Sequence, residues 1–351
     1  MNFKNFQNLE PFEFNIEKKK QFFQKHINQL VKHHYNQSQQ YKKLLNFLKF
    51  KIKNVEISKL PFLPVKLFKY YDLKSVPDKN LFKTMMSSGT SQNLPSKIYL
   101  DKENAYNQVK VLSKIIKTIL GHQRLPMLII DANINKVDRN MFSAKTAAIK
   151  GFSIFGSNHT YLLNDKDEID YKILESFLSK YGKQSFFIFG FTSNIYEHLI
   201  KNISTKNKYN FEKGILLHGG GWKKMENIKI SNKMFKKKLN ININLYHIFN
   251  YYGLIEQTGS IFLECPKCNC FVVSIFSDVL IRDKDLNIVD NGKKGMIQLF
   301  SLLPTSYPGH IILTEDIGEI VDNDCTCSHR GKRFKVHGRS KTSEIRGCSD
   351  I

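Results

Sequence analysis

Apolar residues recur at helical spacing from about Ile16 to Lys51. Mostly Lys, Gln and Asn stand between them, so that each repeat has an apolar and a polar side. Such a 3.6-residue repeat is typical of amphipathic helices. We predict two N-terminal helices within residues 1–55. Pro61 and Pro64 end the pattern, because proline has no backbone donor for a helix.

From about residue 81, short apolar runs alternate with segments of helical spacing. The runs 127–131, 186–189 and 214–217 have the length of buried strands. Strands that alternate with helices are typical of an α/β sheet covered on both faces. We therefore predict an α/β core over residues 56–250.

After Tyr252 the pattern changes to strand-like runs separated by Gly, Asn and Asp. These residues favour turns, and we predict a β-rich subdomain over residues 251–338. Residues 339–351 are predicted to form a C-terminal tail. The predicted fold class is thus α/β, with α/β/α layers and a β-rich subdomain.

The charge of the chain favours anionic partners. It carries 54 Lys and Arg against 31 Asp and Glu, a formal net charge of +23. Such a charge attracts nucleotides, acidic proteins and nucleic acids. Only 7 of the cations are Arg, whereas proteins that read bases and phosphates favour the bidentate Arg fork. We expect no nucleic-acid partner, and a zinc-containing nucleic-acid-binding protein is the alternative from another class.

The apolar runs and the N-terminal residues bear on the cellular location of the protein. None approaches the roughly 18 to 20 residues that span a bilayer. The first residues also lack the basic stretch and apolar stretch of a secretory signal. We therefore expect no membrane span and a cytoplasmic location. In that reducing compartment, metal or thiol chemistry explains clustered cysteines better than disulfides do.

Two cysteine clusters lie in the predicted β-rich part, CPKCNC at 265–270 and CTC at 325–327. Each can present two sulfur ligands on a turn, and four such ligands close a tetrahedral zinc site. Free buried thiols are the alternative. The predicted ligands of a structural Zn²⁺ are Cys265, Cys268, Cys325 and Cys327.

A loop of small hydroxyl residues around a glycine, Ser87-Ser88-Gly89-Thr90, precedes a predicted strand. Backbone amides and hydroxyls of such a loop can close on phosphate oxygens. Its spacing is not that of a Walker loop. Taken alone, such a loop is more often an ordinary polar turn.

Further residues with ligand chemistry follow downstream. A triple glycine lets a flat ligand approach the backbone, a Tyr can stack on it, a Glu can bind Mg²⁺, and an Asp can accept from ribose hydroxyls. In chain order these are Gly219–Gly221, Tyr252, Glu256 and Asp316, with Gly338-Arg339 after them.

In this order the motifs resemble those of the adenylate-forming superfamily. The closer resemblance is to acyl-protein synthetases of the LuxE type, with phenylacetate-CoA ligases as more distant relatives. It covers roughly residues 55–348. The segments that carry it are 60–65, 87–90, Phe189-Gly190-Phe191-Thr192, 218–223 and Gly338-Arg339.

The resemblance implies that MgATP activates a carboxylic acid, expected to be a fatty acid, to an acyl-adenylate with loss of pyrophosphate. It assigns the triphosphate to Ser87, Ser88, Gly89 and Thr90. It assigns adenine to Gly219, Gly220, Gly221 and Tyr252, with Gly253 beside them. Glu256 would ligate Mg²⁺, Asp316 would hold the ribose, and Arg339 would lie nearby.

The sequence departs from the superfamily pattern at Ser91, where Gly is usual, at Ile255, where Thr is usual, and at Lys341, where an acidic residue is usual. It also runs only twelve residues beyond Arg339. We therefore expect the chain to lack the mobile C-terminal domain of CoA ligases. This shorter form fits the acyl-protein synthetase type.

LuxE-type enzymes are acylated on a cysteine near the C-terminus, and the resemblance gives that position to Cys348. A thiolate attacks a mixed anhydride, and Arg346 would favour the thiolate over the thiol. The acyl group would then pass to an acceptor protein, either a carrier protein or a reductase. Direct transfer from the adenylate to CoA or to a carrier-protein thiol is the alternative.

Overall fold

The computed structural model describes residues 8–87, 94–134, 144–203, 209–221, 230–322, 325–327 and 329–340. These residues divide into two compact units. The first unit lies within Met1–Ile115 and Gly253–Ile345, and the second lies within Ile116–Tyr252. The domain boundaries expected from the sequence stay a prediction.

The helices and strands are labelled in chain order. The helices are α1 (Ile16–Gln37), α2 (Gln39–Phe47), α3 (Leu67–Tyr70), α4 (Lys102–Leu120), α5 (Ala144–Ser153), α6 (Tyr171–Tyr181), α7 (Thr192–Asn194) and α8 (Asn232–Ile243). A π-helical segment, Ile195–Asn202, continues α7. The strands are β1 (Leu63–Pro64), β2 (Lys83–Met86), β3 (Lys97–Leu100), β4 (Leu125–Ala132), β5 (Gly156–Leu163), β6 (Phe186–Phe191), β7 (Gly214–Gly219), β8 (His247–Tyr252), β9 (Phe262–Glu264), β10 (Phe271–Val272), β11 (Ser277–Arg282), β12 (Gly295–Ser301), β13 (Ile311–Val321) and β14 (Arg333–Arg339).

The first unit begins with α1 and α2, which meet at Ser38. The Ser38 hydroxyl accepts a hydrogen bond from the Tyr41 backbone N–H (3.4 Å) and so caps α2. Apolar side chains of both helices, such as Ile27 and Leu45, are buried in one core with residues of β1, β3 and β13. The N-terminal helices are therefore an integral layer of this unit.

The main sheet of the first unit is antiparallel, in the order β11-β12-β13-β14-β10-β9. The short strand β1 joins β13 in parallel, and β2 pairs with β3 in a separate hairpin. The register between β13 and β14 shifts between Ile317 and Gly318. This register sets Asp316 directly opposite Arg339.

The second unit holds a parallel sheet in the order β8-β7-β6-β4-β5. Residues of α6, the π-helical segment and α8 share one core with Ile188 of β6. On the opposite face, Phe152 of α5 stacks on Phe189, with ring centroids 4.7 Å apart. The predicted α/β sheet covered on both faces is thereby confirmed.

The chain order of this sheet creates a switch point. After β4 the chain runs to β5 on one side and returns to β6 on the other side of β4. The segments that follow β4 and β6 therefore lie on opposite faces. A crevice outside the carboxyl ends of such strands is the usual ligand site of parallel sheets.

Among the residues that the structure describes, no helix combines the length and the apolar character needed to cross a membrane.

Candidate active site

Glu256, the predicted Mg²⁺ ligand, lies in the first unit on a short 3₁₀ turn, Ile255–Gln257. Its side chain is 2% exposed, and its Oε1 atom has no hydrogen-bond partner among the described residues. A buried carboxylate oxygen left without a partner costs free energy, and a bound cation removes that cost. Oxygen is also the ligand atom that Mg²⁺ prefers. Glu256 therefore fits the metal that the resemblance implies.

Asp316 and Arg339 lie side by side on β13 and β14. Arg339 Nε is 3.6 Å from Asp316 Oδ1, and Asp316 is 3% exposed. The structure thus brings together the two residues that the resemblance assigns to the ribose and its surroundings. A buried acceptor beside a fixed guanidinium can bind a hydroxyl and an anionic oxygen next to each other.

Glu315 completes this group, although the sequence analysis did not single it out. Its carboxylate lies 3.5 Å from Arg339 Nη2 and 3.0 Å from Lys66 Nζ. Lys66 follows β1, and β1 pairs with β13 only in the folded sheet. In the sequence, Glu315 is marked only by its place next to the predicted Asp316, and nothing marks Lys66.

The glycines assigned to adenine lie in the second unit at the carboxyl end of β7. A Cβ on Gly219 would lie 2.5 Å from the Tyr251 ring on the neighbouring strand, so packing requires glycine here. Gly220 has φ +78°, a conformation that side chains other than glycine rarely adopt. Gly221 is buried. The fold therefore needs glycine at 219 and 220 independently of any ligand.

Tyr252, the residue assigned to adenine, ends β8 and is only 1% exposed. Its neighbour Tyr251 faces the opposite side of the sheet and packs on Phe152, with ring centroids 4.9 Å apart. Burial raises the pKa of the Tyr251 phenol. Gly253 begins the second stretch of the first unit, and a Cβ on it would lie 3.1 Å from Ile261 Cγ2.

Thr192 and His218 form a buried polar pair that the sequence analysis left without a role. The Thr192 hydroxyl donates to the Gly219 carbonyl at 3.2 Å, because a carbonyl oxygen can only accept. The same hydroxyl lies 3.0 Å from His218 Nδ1. Burial, with a smaller effect from Lys236, lowers the pKa of His218 to about 3. The imidazole is therefore neutral, and it anchors the start of the glycine run.

Asp131 lies at the switch point and was also missed. It lies one residue before the end of β4, pairs with Lys145 Nζ at 2.7 Å and accepts from Asn194 Nδ2 at 3.2 Å. Burial raises the pKa of the Asp131 carboxyl, and the charge of Lys145 opposes this effect. Its position at the end of an apolar run marks Asp131 in the sequence. Its partners could not be predicted, because the sequence does not show which strands are neighbours in the sheet.

Of the predicted phosphate loop, the structure describes Ser87. Its Oγ accepts from the Ser96 N–H at 2.8 Å, and its own N–H donates to the Ser96 carbonyl at 3.0 Å. Ser87 thus closes the hairpin of β2 and β3 at the base of the loop. Ser88, Gly89 and Thr90 lie outside the described residues, as does Cys348.

The two cysteine clusters meet in the first unit. Cys265 Sγ lies 3.7 Å from Cys325 Sγ, and the Sγ atoms of Cys265, Cys325 and Cys327 all lie within 4.8 Å of one another. Cys268 packs against the same small core, which Phe12 covers. All five described cysteines are free of disulfides. The donor set of soft sulfurs at this spacing fits a tetrahedral metal ion such as Zn²⁺.

The polar surroundings of the cysteines support that fit. Arg333 Nη2 donates to Cys327 Sγ at 3.2 Å. The Asn269 N–H donates to the Cys265 carbonyl at 2.8 Å, and Asn269 adopts φ +54°. The second of these bonds closes the 265–270 segment into a turn. A guanidinium beside a thiolate offsets the negative charge of such a ligand set.

Comparison with solved structures identifies the fold. A crystal structure of 2-hydroxyisobutyryl-CoA ligase with 2-HIB-AMP and CoA has a TM-score of 0.70 to this chain. The similarity covers 95% of this chain and 80% of that one, at 12% sequence identity. The chain therefore has the fold of adenylate-forming ligases, as the sequence predicted.

A sequence profile of the family "Acyl-protein synthetase, LuxE" matches residues 6–351. The chain belongs to this family and is an adenylate-forming ligase of the acyl-protein synthetase type. It is similar to the "Long-chain-fatty-acid--luciferin-component ligase" of Aliivibrio fischeri, with 23% identity over 97% of this chain and 90% of that protein. The enzyme of the same description from Vibrio harveyi is 19% identical over 97% of this chain and 89% of that protein.

Proposed function

We propose that this enzyme activates a long-chain fatty acid with MgATP and transfers the acyl group to a protein thiol by way of Cys348. The names of the two bacterial relatives support the fatty acid, and the resemblance supports the cysteine. The structural observation that carries the proposal is the buried Glu256 carboxylate, whose Oε1 has no partner among the described residues.

In the first step, a carboxylate oxygen of the acid attacks the α-phosphorus of ATP, and the bond from that phosphorus to pyrophosphate breaks. Bound Mg²⁺ would offset the charge that develops on the phosphate oxygens. Glu256 would hold this ion, Asp316 would accept from the ribose hydroxyls, and Arg339 would orient Asp316. In the second unit, Gly219–Gly221 and Tyr252 are proposed for adenine.

In the second step, the Cys348 thiolate attacks the acyl carbonyl carbon, and the bond from that carbon to the AMP oxygen breaks. AMP leaves, the thiol proton passes to solvent, and a thioester forms. A thiol of the acceptor protein, a carrier protein or a reductase, then takes the acyl group by thioester exchange. The predicted cytoplasmic location suits such an acceptor.

Exchange of labelled pyrophosphate into ATP, measured with a panel of fatty and aromatic acids, tests the first step. We expect exchange with one class of acids and a loss of about 100-fold in Glu256→Gln. Glu319→Gln is the matched control, because Glu319 is a partly buried carboxylate of the same unit that pairs with His337 at 3.5 Å. Equal exchange in the wild type and Glu256→Gln would contradict the proposed role of Glu256.

The second step is tested with Cys348→Ser. The variant should keep pyrophosphate exchange but retain no labelled acyl group after denaturation and gel electrophoresis. Cys270→Ser, which alters a buried cysteine instead, should keep both. Full transfer of label to an acceptor thiol by Cys348→Ser would instead establish direct transfer from the adenylate to CoA or to a carrier protein.

A structural Zn²⁺ held by Cys265, Cys268, Cys325 and Cys327 is the second part of the proposal. The meeting of both clusters in one small core supports it. Protein purified without chelator should contain about one equivalent of zinc, and Cys325→Ser should lose it. Zinc retained in Cys325→Ser but lost in Cys270→Ser would show that this choice of ligands is wrong.

A further inference from the structure

The segment 302–310 packs against the turn that carries Glu256 and forms hydrogen bonds with it. The Tyr307 hydroxyl donates to the Glu256 backbone carbonyl at 3.0 Å. The Gln257 side-chain amide donates to the Gly309 carbonyl at 2.9 Å. A Cβ on Gly309 would lie 2.6 Å from the Glu256 carbonyl oxygen, so the two backbones approach closely. The direction of the Glu256 side chain therefore depends on this segment.

The segment 302–310 is in turn held by the N-terminal helices. His34 Nε2 lies 3.0 Å from the Pro304 carbonyl, and His33 Nε2 lies 2.8 Å from the Thr305 carbonyl. Both imidazoles donate, because a carbonyl oxygen can only accept. The Tyr41 hydroxyl of α2 lies 3.2 Å from His310 Nε2. Three side chains of α1 and α2 thus contact three residues of one segment.

Residues of α4 and Ser75 also form hydrogen bonds with the segment 302–310. Asn104 of α4 donates through Nδ2 to the Leu303 carbonyl at 2.7 Å and accepts at Oδ1 from the Ser306 hydroxyl at 2.8 Å. The Ser75 N–H donates to the Ser306 carbonyl at 2.8 Å. The segment lacks regular structure, yet these hydrogen bonds hold its backbone in a buried setting, which makes it rigid.

We propose that Tyr307 is a positioning residue for Glu256, and that α1 and α2 act in adenylation by holding the segment 302–310 in place. This inference rests on the proposed role of Glu256 as a ligand of the cation bound with ATP. Tyr307 touches neither substrate nor cation in this scheme, and it acts only through the Glu256 backbone. Burial raises the pKa of its phenol, so the hydroxyl remains a donor at every pH of interest.

The quantity to measure is the affinity for the divalent cation, because loss of folded protein alone would not change it. Mn²⁺ is titrated in the presence of a non-hydrolysable ATP analogue, and free Mn²⁺ is followed by electron paramagnetic resonance. Tyr307→Phe should weaken Mn²⁺ binding about tenfold, since the Glu256 carbonyl loses its donor. The Mg²⁺ concentration for half-maximal exchange should rise by the same factor.

Two more variants place the effect. Tyr41→Phe removes only the contact of α2 with His310 and should weaken Mn²⁺ binding by about threefold. Tyr35→Phe is the matched control, because the Tyr35 hydroxyl bonds Asn46 within the helical pair at 3.0 Å and does not reach the segment. It should bind Mn²⁺ like the wild type.

The outcomes separate this inference from the proposed function. If Glu256→Gln loses Mn²⁺ affinity and exchange while Tyr307→Phe keeps wild-type values for both, the positioning role is overturned and the proposed function stands. If Glu256→Gln binds Mn²⁺ and exchanges like the wild type, the proposed role of Glu256 is overturned, and this inference fails with it. Weaker Mn²⁺ binding in both variants, with a normal Tyr35→Phe, supports both.

Discussion

Acid should destabilise this protein through two buried imidazoles, His310 in the first unit and His218 in the second. Burial lowers the pKa of each from 6.5 to about 3. Between these values the unfolded chain binds a proton at each imidazole and the folded chain does not, so stability falls as the pH falls. Each pH unit below 6.5 costs about 1.4 kcal/mol per histidine, which gives about 2 kcal/mol for each at pH 5.

The contacts of His310 explain why its imidazole stays unprotonated in the folded state. His310 accepts from the Tyr41 hydroxyl at Nε2, and its Nδ1 has no partner among the described residues. His34 lies 4.5 Å from it, ring to ring, and burial lowers its pKa also. A charge on either ring would be buried beside the other ring without a carboxylate in hydrogen-bond contact.

The assay is urea unfolding at pH 7.5 and pH 5.0, followed by circular dichroism. From the higher to the lower pH, His310→Gln and His218→Gln should each lose about 2 kcal/mol less stability than the wild type. His122→Gln is the control, because His122 is exposed, and it should follow the wild type. The reasoning is refuted if the two buried-site variants lose as much stability as the wild type between the two pH values.

Three further experiments test the packing of Gly219, the ion pair of Asp131 and the role of Asp316 in binding ATP. Gly219→Ala should cost about 1 to 3 kcal/mol in urea unfolding, because its Cβ would meet the Tyr251 ring at 2.5 Å, and Tyr251→Leu in the same chain should restore part of the loss. Lys145→Met should cost about 3 kcal/mol by leaving Asp131 buried without its cation, and an added Asp131→Asn should recover most of it; no recovery would contradict the pairing. Asp316→Asn should raise the KM for ATP in pyrophosphate exchange by about tenfold with a smaller change in kcat, whereas an unchanged KM would remove Asp316 from the ribose.

Local patterns predicted the elements well, because each element is encoded by its own spacing of apolar residues. The predicted run 186–189 lies in β6, whose residues are all buried, and the predicted run 214–217 lies in β7. The order of strands was not predictable, since the placement of β6 beside β4 depends on crossovers between distant residues. The α/β fold class therefore followed from the sequence, but the switch point did not.

Site residues that belong to a motif were predictable from the sequence. Residues that only the tertiary structure brings to the site were not. Glu256, Asp316 and Arg339 were selected by motif, and the structure sets Asp316 beside Arg339. Lys66 joins them through Glu315 only because β1 adds to β13. Likewise, Gly219 suggested ligand contact, yet the neighbouring Tyr251 ring supplies a packing reason that only the sheet register reveals.

The docking of α1 and α2 on the segment 302–310 also sets the order in which the chain can mature during synthesis. His33 and His34 are separated from their carbonyl partners by 272 and 270 residues. At usual elongation rates, roughly 10 to 60 s pass between the appearance of the helices and that of their binding segment. The second unit is continuous over Ile116–Tyr252 and can fold within this interval. Meanwhile the core that buries Phe23, Ile27 and Leu30 lacks its members from residues 300–312, so the helices keep part of their apolar surface exposed until that segment emerges.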